Sequence, residues 1–480
     1  MSLRQLAVSG VRWTSYSSAI ATLLQIIQVA ILARFLSPDD FGLMAVAMVV
    51  IGFAQAFIGM GISNAIIHKQ DVTHRQLSSL FWINILAGIV MYSIIYFLSS
   101  WIADFYHEKR LDSIIQTISI IFLITPFGQQ YFAFLEKELA FKSLAKINIM
   151  SKFFTLMITS FLAYRGFGVY ALVYGVIFSA IFTTIRYIMI GYKQYIPSFV
   201  FSIKEIGYFL KFGLYQMGEM TVNYFNYQFD TILIGKLLGL ESLGIYTIAK
   251  ELIMKPATII NPVITRVAFP TMSKVQDDIS KLKEIYLKMI NFVASINFPI
   301  YLLIMILAPE LVYILFGDRW DKAIGLVEIL AIFGAIRSVS NPIGSLLLAR
   351  GRADLGFWWN FGLFFYVPLS IYIYSFWGLK GIAWGLVANM IILQIPGYFI
   401  LVKPLCQAGL REYFLQILKP ALLTLIIFIF LILINIYEVV AVNEYIKVVV
   451  VTIFVSIVIY FLNILYNKEF VKEIKGVIFR

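Results

Sequence analysis

Six ionisable residues interrupt stretches that are otherwise long and apolar: Glu219, Asp230, Lys250, Glu251, Lys255 and Arg337. Basic side chains in such surroundings suit an anion with several oxygens, such as a phosphate. Arginine offers a planar fork of donors and lysine a point charge. Carboxylates there can take up a proton or Na⁺, because burial raises the cost of their charged form. A charge at the centre of a bilayer costs about 2.5–3.5 kcal/mol on insertion scales, so each of these groups needs a partner or a wet cavity. Two readings stand side by side. In one, Lys250, Lys255 and Arg337, with Arg34 at the end of the first apolar run, form a cationic cavity, while Glu219, Asp230 and Glu251 couple to H⁺ or Na⁺. In the other, Lys250, Glu251 and Lys255 are structural charges with Glu219 and Asp230 as counter-ions.

The elements that must carry these residues follow from composition. The 480 residues are 61% hydrophobic and 13% charged, with a mean hydropathy of +0.88. A water-soluble domain needs more charge than this on its surface, and runs of about 20 apolar residues are membrane spans. Reading for such runs predicts fourteen spans, among them Phe41–Ile67, Leu111–Phe134, Phe209–Leu237, Leu243–Ala268, Leu355–Phe376 and Ile446–Tyr466. Their continuous apolar character excludes a porin-type barrel, whose strands alternate. The first run lacks a small-residue cleavage site and reads as a retained helix. One cysteine, Cys406, allows no internal disulfide and no Cys-based metal cluster, and the three histidines fall in connecting loops. No cofactor is expected beyond a coupling ion. Lys and Arg concentrate on the side that holds the N-terminus, which places both termini in the cytoplasm. That bias absorbs the net charge of +12, so no nucleic-acid partner is needed. Two stretches on the same side, Ser198–Phe212 and Lys281–Ile290, space apolar residues between bases; they read as helices lying in the headgroups or as ordinary helix starts.

The chain also repeats itself. RFLSPDDFGLM (Arg34–Met44) aligns with KLLGLESLGIY (Lys236–Tyr246) at an offset of 202 residues, matching Gly42 to Gly244. Pro126-Phe-Gly128 recurs as Pro342-Ile-Gly344, and the turn at Gly168 as the turn at Gly381. Each match joins helix n to helix n+6, so both copies share one orientation. The expected fold is therefore all-α and polytopic: two parallel six-helix bundles (residues 1–197 and 198–404) followed by a helix pair and tail (405–480). Transporters built this way rock about a midplane site. Gly42, Gly244, Pro126, Pro342 and Pro256 are the candidate hinge residues; Pro256 should bend its helix.

The copies differ in charge. At the same offset Glu219, Asp230, Lys250, Glu251 and Lys255 overlie Ser17, Gln28, Met48, Val49 and Phe53, all neutral. At 1.5 Å per residue, Lys250 and Asp230 both lie about 10 Å from the outer end of their spans, so Asp230 is expected to pair with Lys250 or with a neighbouring donor. Lys255 and Arg337 fall about 18–20 Å deep, near the midplane. The phenol and amide groups of Val222–Asp230 suit a sugar as well as an aromatic belt.

The block from Phe229 to Asp278, FDTILIGKLLGLESLGIYTIAKELIMKPATIINPVITRVAFPTMSKVQDD, resembles the polysaccharide exporters of the MOP flippase superfamily, in particular the colanic-acid and teichuronic-acid exporter type. LARFLSPDDFGLMAV and LFGDRWDKA fit the same group, and the likeness covers essentially the whole chain. The resemblance implies a fourteen-helix, V-shaped transporter of the bacterial cytoplasmic membrane. It implies translocation of an undecaprenyl-diphosphate-linked oligosaccharide to the outer leaflet by alternating access, with a cationic cavity for the diphosphate. Relatives that flip peptidoglycan precursor carry several arginines deep in the first two spans; here those spans hold only Arg12 and Arg34, close to their ends. The partners so implied are the lipid-linked anionic saccharide, membrane lipids and polysaccharide polymerase machinery, with the chain itself monomeric.

Two alternatives remain open at this stage. A multidrug antiporter of the same superfamily would have twelve spans and an acidic cavity. A membrane polymerase or ligase would need a large outer loop with a nucleophile and base, and the outer connections here are short, so the chain is not expected to be an enzyme.

Overall fold

The computed structural model describes residues 3–57, 72–193, 195–433, 447–456 and 458. The described residues form helices and connections, without a strand. In the first part of the chain the helices are α1 (Leu3–Phe35), α2 (Pro38–Phe57), α3 (His74–Tyr106), α4 (Arg110–Ser119), α5 (Ile121–Ile124), α6 (Pro126–Lys137), α7 (Phe141–Tyr164), α8 (Val169–Gly191) and α9 (Ile203–Ser273). The second part holds α10 (Ile279–Ile306), α11 (Ala308–Phe316), α12 (Asp321–Ser340), α13 (Pro342–Ala349), α14 (Ala353–Ser375), α15 (Gly378–Gly397) and α16 (Leu410–Leu433). Contacts divide the chain into two units, Met1–Thr247 and Ile248–Arg480. In the first, α7 packs on α1 and α8, and α8 also meets α6; in the second, α10 packs on α12 and α16, and α12 on α15.

Ten helices among the described residues are long and apolar enough to cross a membrane, and an eleventh if Arg110–Ile124 and Pro126–Lys137, bent by 51°, form one span. The chain is a multi-pass membrane protein. The sequence reading differs from this number for three physical reasons. α9 runs through two predicted spans, and its backbone breaks only at Gly239, where φ is +85°. α14 corresponds to the eleventh predicted span, but its Trp, Tyr and Asn lower its hydropathy. About half of the last predicted span, and the end of the second, lie outside the described residues, and the described part, Lys447–Ser456, is by itself too short to cross.

Pro126 and Pro342, aligned from sequence, occupy the same kind of place: each is buried and opens a new helical segment in mid-span. Proline lacks the N–H that would continue the preceding ladder, so the run of helical hydrogen bonds is interrupted there, while Thr125 and Asn341 just before it keep helical backbone angles. Gly168 has φ +53°, but Gly381 sits inside α15; the positive-φ glycine before α15 is Gly378, at +69°. Gly166 (φ +81°) aligns with it one residue off the offset read from sequence.

The two aligned turns meet. Gly42 lies against the carbonyl of Leu240, and Gly244 against the carbonyl of Pro38; a Cβ added to either would fall well inside 3.0 Å of backbone. Pro38 and Leu240 are themselves 202 residues apart, like the two glycines. The contact is therefore reciprocal, as at an isologous interface with a local two-fold axis between the turns.

Of the two basic stretches, Lys281–Ile290 is an ordinary helix start. Asp278 caps α10 by accepting the Lys281 N–H (3.1 Å), and Leu282, Tyr286 and Ile290 are buried at four-residue spacing. Ser198–Phe212 is helical only from Ile203.

Candidate functional site

Beyond Gly239, α9 carries Lys250, Glu251 and Lys255. The Lys255 ammonium lies 3.5 Å from Glu251 Oε1, with side chains 14% and 34% exposed. Residues four apart on a helix face each other, and Glu ahead of Lys is the favourable order. The counter-ion of Lys255 in the structure is thus Glu251. Lys250 is half-buried. Asp230 has found a neighbouring donor: its Oδ2 accepts from Tyr246 Oη (2.5 Å) and its Oδ1 from the Thr231 N–H (2.7 Å). Glu219 lies on α9, with its side chain outside the described residues. Pro256 is half-buried and α9 continues through it. Arg34 is exposed in the last turn of α1, where a cation is favourable.

Arg337 projects from α12 with its guanidinium 5.7 Å from the centre of the Phe333 ring, one turn earlier. Three helices converge here. Tyr301 of α10 donates its hydroxyl to the Ile253 carbonyl of α9 (3.1 Å), and Gly334 of α12 lies against both Tyr301 and Ile253. Glycine at this crossing lets α12 approach; a Cβ would run into the Tyr301 ring. Lys255 is two residues from Ile253, about 200° around the helix. The Glu251–Lys255 pair is therefore turned away from this contact, whereas Arg337, about 60° from Gly334, remains beside it. The fold brings the helices of Lys255 and Arg337 together at the Tyr301–Ile253–Gly334 contact.

Next to Arg337 a cavity of about 490 Å³ opens between α10, α12 and α16. Its walls include Phe298, Tyr301, Ala335, Ile336, Leu425 and Phe428, almost wholly apolar. Such a space accepts hydrocarbon.

The sequence reading missed an ion pair. Glu310, 3% exposed on α11, binds Lys447, and its second oxygen is buried without a hydrogen-bond partner. Glu310 hides in an apolar run and its partner follows 137 residues later, so no local spacing betrays the pair. Two more cations lie inside helices of the first unit: half-buried Lys152 on α7, and Arg186 on α8, whose Nε is buried without a hydrogen-bond partner. Their distance from a helix end was the available signal. No group of three His, Cys, Asp or Glu able to hold a metal occurs among the described residues.

Comparison with known proteins places this geometry. Residues 31–325 match the family model described as "Polysaccharide biosynthesis protein". The chain is similar to the lipopolysaccharide biosynthesis protein WzxC of Escherichia coli, at 32% identity over 88% of this chain and 87% of that protein. It is 34% identical to the teichuronic acid biosynthesis protein TuaB of Bacillus subtilis, over 88% of each. Among solved structures, the lipid II flippase MurJ in an inward closed conformation superposes with a TM-score of 0.71, covering 96% of this chain and 99% of that one at 15% identity. At that identity the likeness is one of fold. The match in sequence, by contrast, runs through both the reciprocal turns and the charged segment of α9, and the chain belongs to the polysaccharide biosynthesis protein family.

Proposed function

We propose that the chain is a flippase that carries a polyprenyl-diphosphate-linked oligosaccharide from the cytoplasmic to the outer leaflet of the bacterial cytoplasmic membrane, for assembly of a surface polysaccharide. It is a transporter and not an enzyme. The observation that supports the reading is that Arg337 follows directly on Ile336, which with Tyr301 lines the apolar cavity. An amphiphile with an anionic head and a hydrocarbon tail matches both at once. The diphosphate accepts from Arg337, whose planar fork fits two phosphate oxygens, and the tail lies in the cavity. Relatives of similar length are named for lipopolysaccharide and teichuronic acid biosynthesis, which supports the saccharide part of the cargo.

In this reading Lys255 reaches an anion only by leaving Glu251. The freed carboxylate then takes up H⁺ or Na⁺, so one pair links cargo to coupling ion. Asp230 and Glu219 are further coupling candidates, and Lys250 and Arg34 extend the positive field towards the outer side. Both termini lie in the cytoplasm, with the basic excess of the chain. The protein works as a monomer that hands its cargo to a polymerase.

The test is lipid extraction from cells lacking the gene, complemented with variants. Loss of the gene should accumulate the complete diphosphate-linked repeat unit. Arg337→Gln should weaken cargo binding by about 2 kcal/mol or more, roughly thirtyfold, and restore the accumulation while inserting normally. The paired variant Glu251→Gln/Lys255→Gln should lose coupling, with less effect on binding. An unchanged lipid pool in the deletion strain together with sensitivity to cationic drugs would replace this reading by an antiporter.

A further inference from the structure

The connector between the two copies, Tyr195–Ser202, is non-helical with a bend at Phe199, and it is strapped along the start of α3. Several of its backbone groups are bonded within the protein, most of them to side chains of that helix. His74 Nε2 donates to the Ile196 carbonyl (3.1 Å) and Trp82 Nε1 to the Ser198 carbonyl (2.9 Å). Ser78 Oγ accepts the Ser198 N–H (3.1 Å), and Ser79 Oγ accepts the Ser202 N–H (3.0 Å) while donating to the Arg75 carbonyl of its own helix (2.9 Å). The Tyr195 N–H reaches Gly191 O (3.1 Å) and the Val200 N–H reaches Ser198 O (2.8 Å). Ser78 Oγ also meets the hydroxyls of Tyr195 (2.9 Å) and Ser198 (3.0 Å). Both serines of α3 are fully buried beneath the strap.

The strap turns apolar side chains outward. Phe199 is 92% exposed, Ile196 55% and Phe201 50%, and the Phe199 ring stacks on Trp82 at 5.1 Å. In water a non-helical connector has no need of protein partners for its backbone, and a bare phenylalanine is costly there. In lipid both features reverse: non-helical backbone survives only where its polar groups are bonded within the protein, and exposed aromatics are favourable.

The level agrees. α3 has 33 residues, about 50 Å against a hydrocarbon core of about 30 Å, so about 10 Å overhangs at each end. Trp82, eight residues after His74, therefore stands at the core boundary. Exposed Arg75 and Lys193 flank the strap where lipid phosphates would lie.

We infer that Tyr195–Ser202 is a membrane-surface anchor. Its occupant is the bilayer interface itself, into which Ile196, Phe199 and Phe201 insert, on the cytoplasmic leaflet if the orientation proposed above holds. The anchor fixes the connector between the copies to the floor of the first one, so rocking motions must be taken up beyond Ser202.

The sole cysteine, Cys406, is buried, so introduced cysteines can be labelled selectively after Cys406→Ser. A nitroxide at Phe199→Cys, and independently at Ile196→Cys, would be measured in full-length protein reconstituted into phosphatidylcholine–phosphatidylglycerol vesicles. References are Phe97→Cys on the exposed flank of α3 and Asp277→Cys in an exposed loop. The expected result at both strap positions is loss of collision with a water-soluble nickel chelate relative to Asp277→Cys, with oxygen collision approaching that of Phe97→Cys. Chelate access equal to that of Asp277→Cys, including access that a partner protein later blocks, would overturn the anchor. Since the readout is depth alone, it stands or falls apart from whether the chain exports a saccharide.

Discussion

The turn at Ser37–Pro38 and the turn at Gly239–Leu240 occupy equivalent places in the two copies and reverse the chain by different chemistry. The first uses side chains: Asp40 Oδ2 accepts from the Ser37 N–H (2.9 Å) and hydroxyl (2.8 Å), and Ser37 Oγ accepts the Asp40 N–H (3.3 Å). The second uses backbone freedom, with Gly239 at φ +85°. What both keep is the close approach of Gly42 to Leu240 and of Gly244 to Pro38. The turn can be made in several ways, but the contact between turns admits only glycine. A second contrast lies deeper. Gln28 of α1 donates to Thr159 Oγ1 (3.2 Å), a neutral bond between helices, while its counterpart Asp230 is a carboxylate held by Tyr246. The second copy has taken on charge where the first has glue.

These contrasts can be broken by substitution. The largest effect should come from the buried pair that joins the second copy to the added helix pair. Glu310→Ala removes the buried carboxylate of that pair and should cost about 3–5 kcal/mol. Ser100→Ala, at an exposed position of the first copy, should cost no more than about 0.5 kcal/mol, both read by thermal unfolding in detergent. Equal losses would erase the distinction. Next come the glycines. Gly42→Ala and Gly244→Ala should each cost about 1–3 kcal/mol by overpacking, by equal amounts, and less than additively together because they share one contact. Clearly unequal losses would mean that the contact is not reciprocal. The smallest effect separates the turns themselves. Ser37→Gly should cost only a few tenths of a kcal/mol, since glycine is tolerated at a cap, whereas Gly239→Ser should cost about 1–2 kcal/mol for its positive φ. If both exchanges are equally mild, the two turns are interchangeable.

Much of the fold was legible in the sequence because it rests on local signals. Apolar run length gave the helices, and the aligned glycines and prolines gave the turns and mid-span breaks. The Gly168–Gly381 pairing slipped, since the sequence does not say which glycine of a cluster takes the positive φ. The site was legible only in part. Glu251 and Lys255 stand four apart, a spacing that already allows their pairing on one helix face. Glu310–Lys447 and the bonds from Ser78, Ser79 and Trp82 to the connector join residues more than a hundred positions apart, and no local pattern encodes such pairs.

The reciprocal contact of the turns also bears on how such a chain could arise. An isologous contact is what two identical subunits make, so an unfused ancestor would have met its own glycine twice across one axis. Every change at that position would then have been paid for in duplicate. Fusion into one chain ends that constraint: each copy is inherited once and varies alone. One copy could then keep a neutral Gln28 while the other acquired Asp230, Glu251 and Lys255, so that a symmetric scaffold comes to carry charge on one side only.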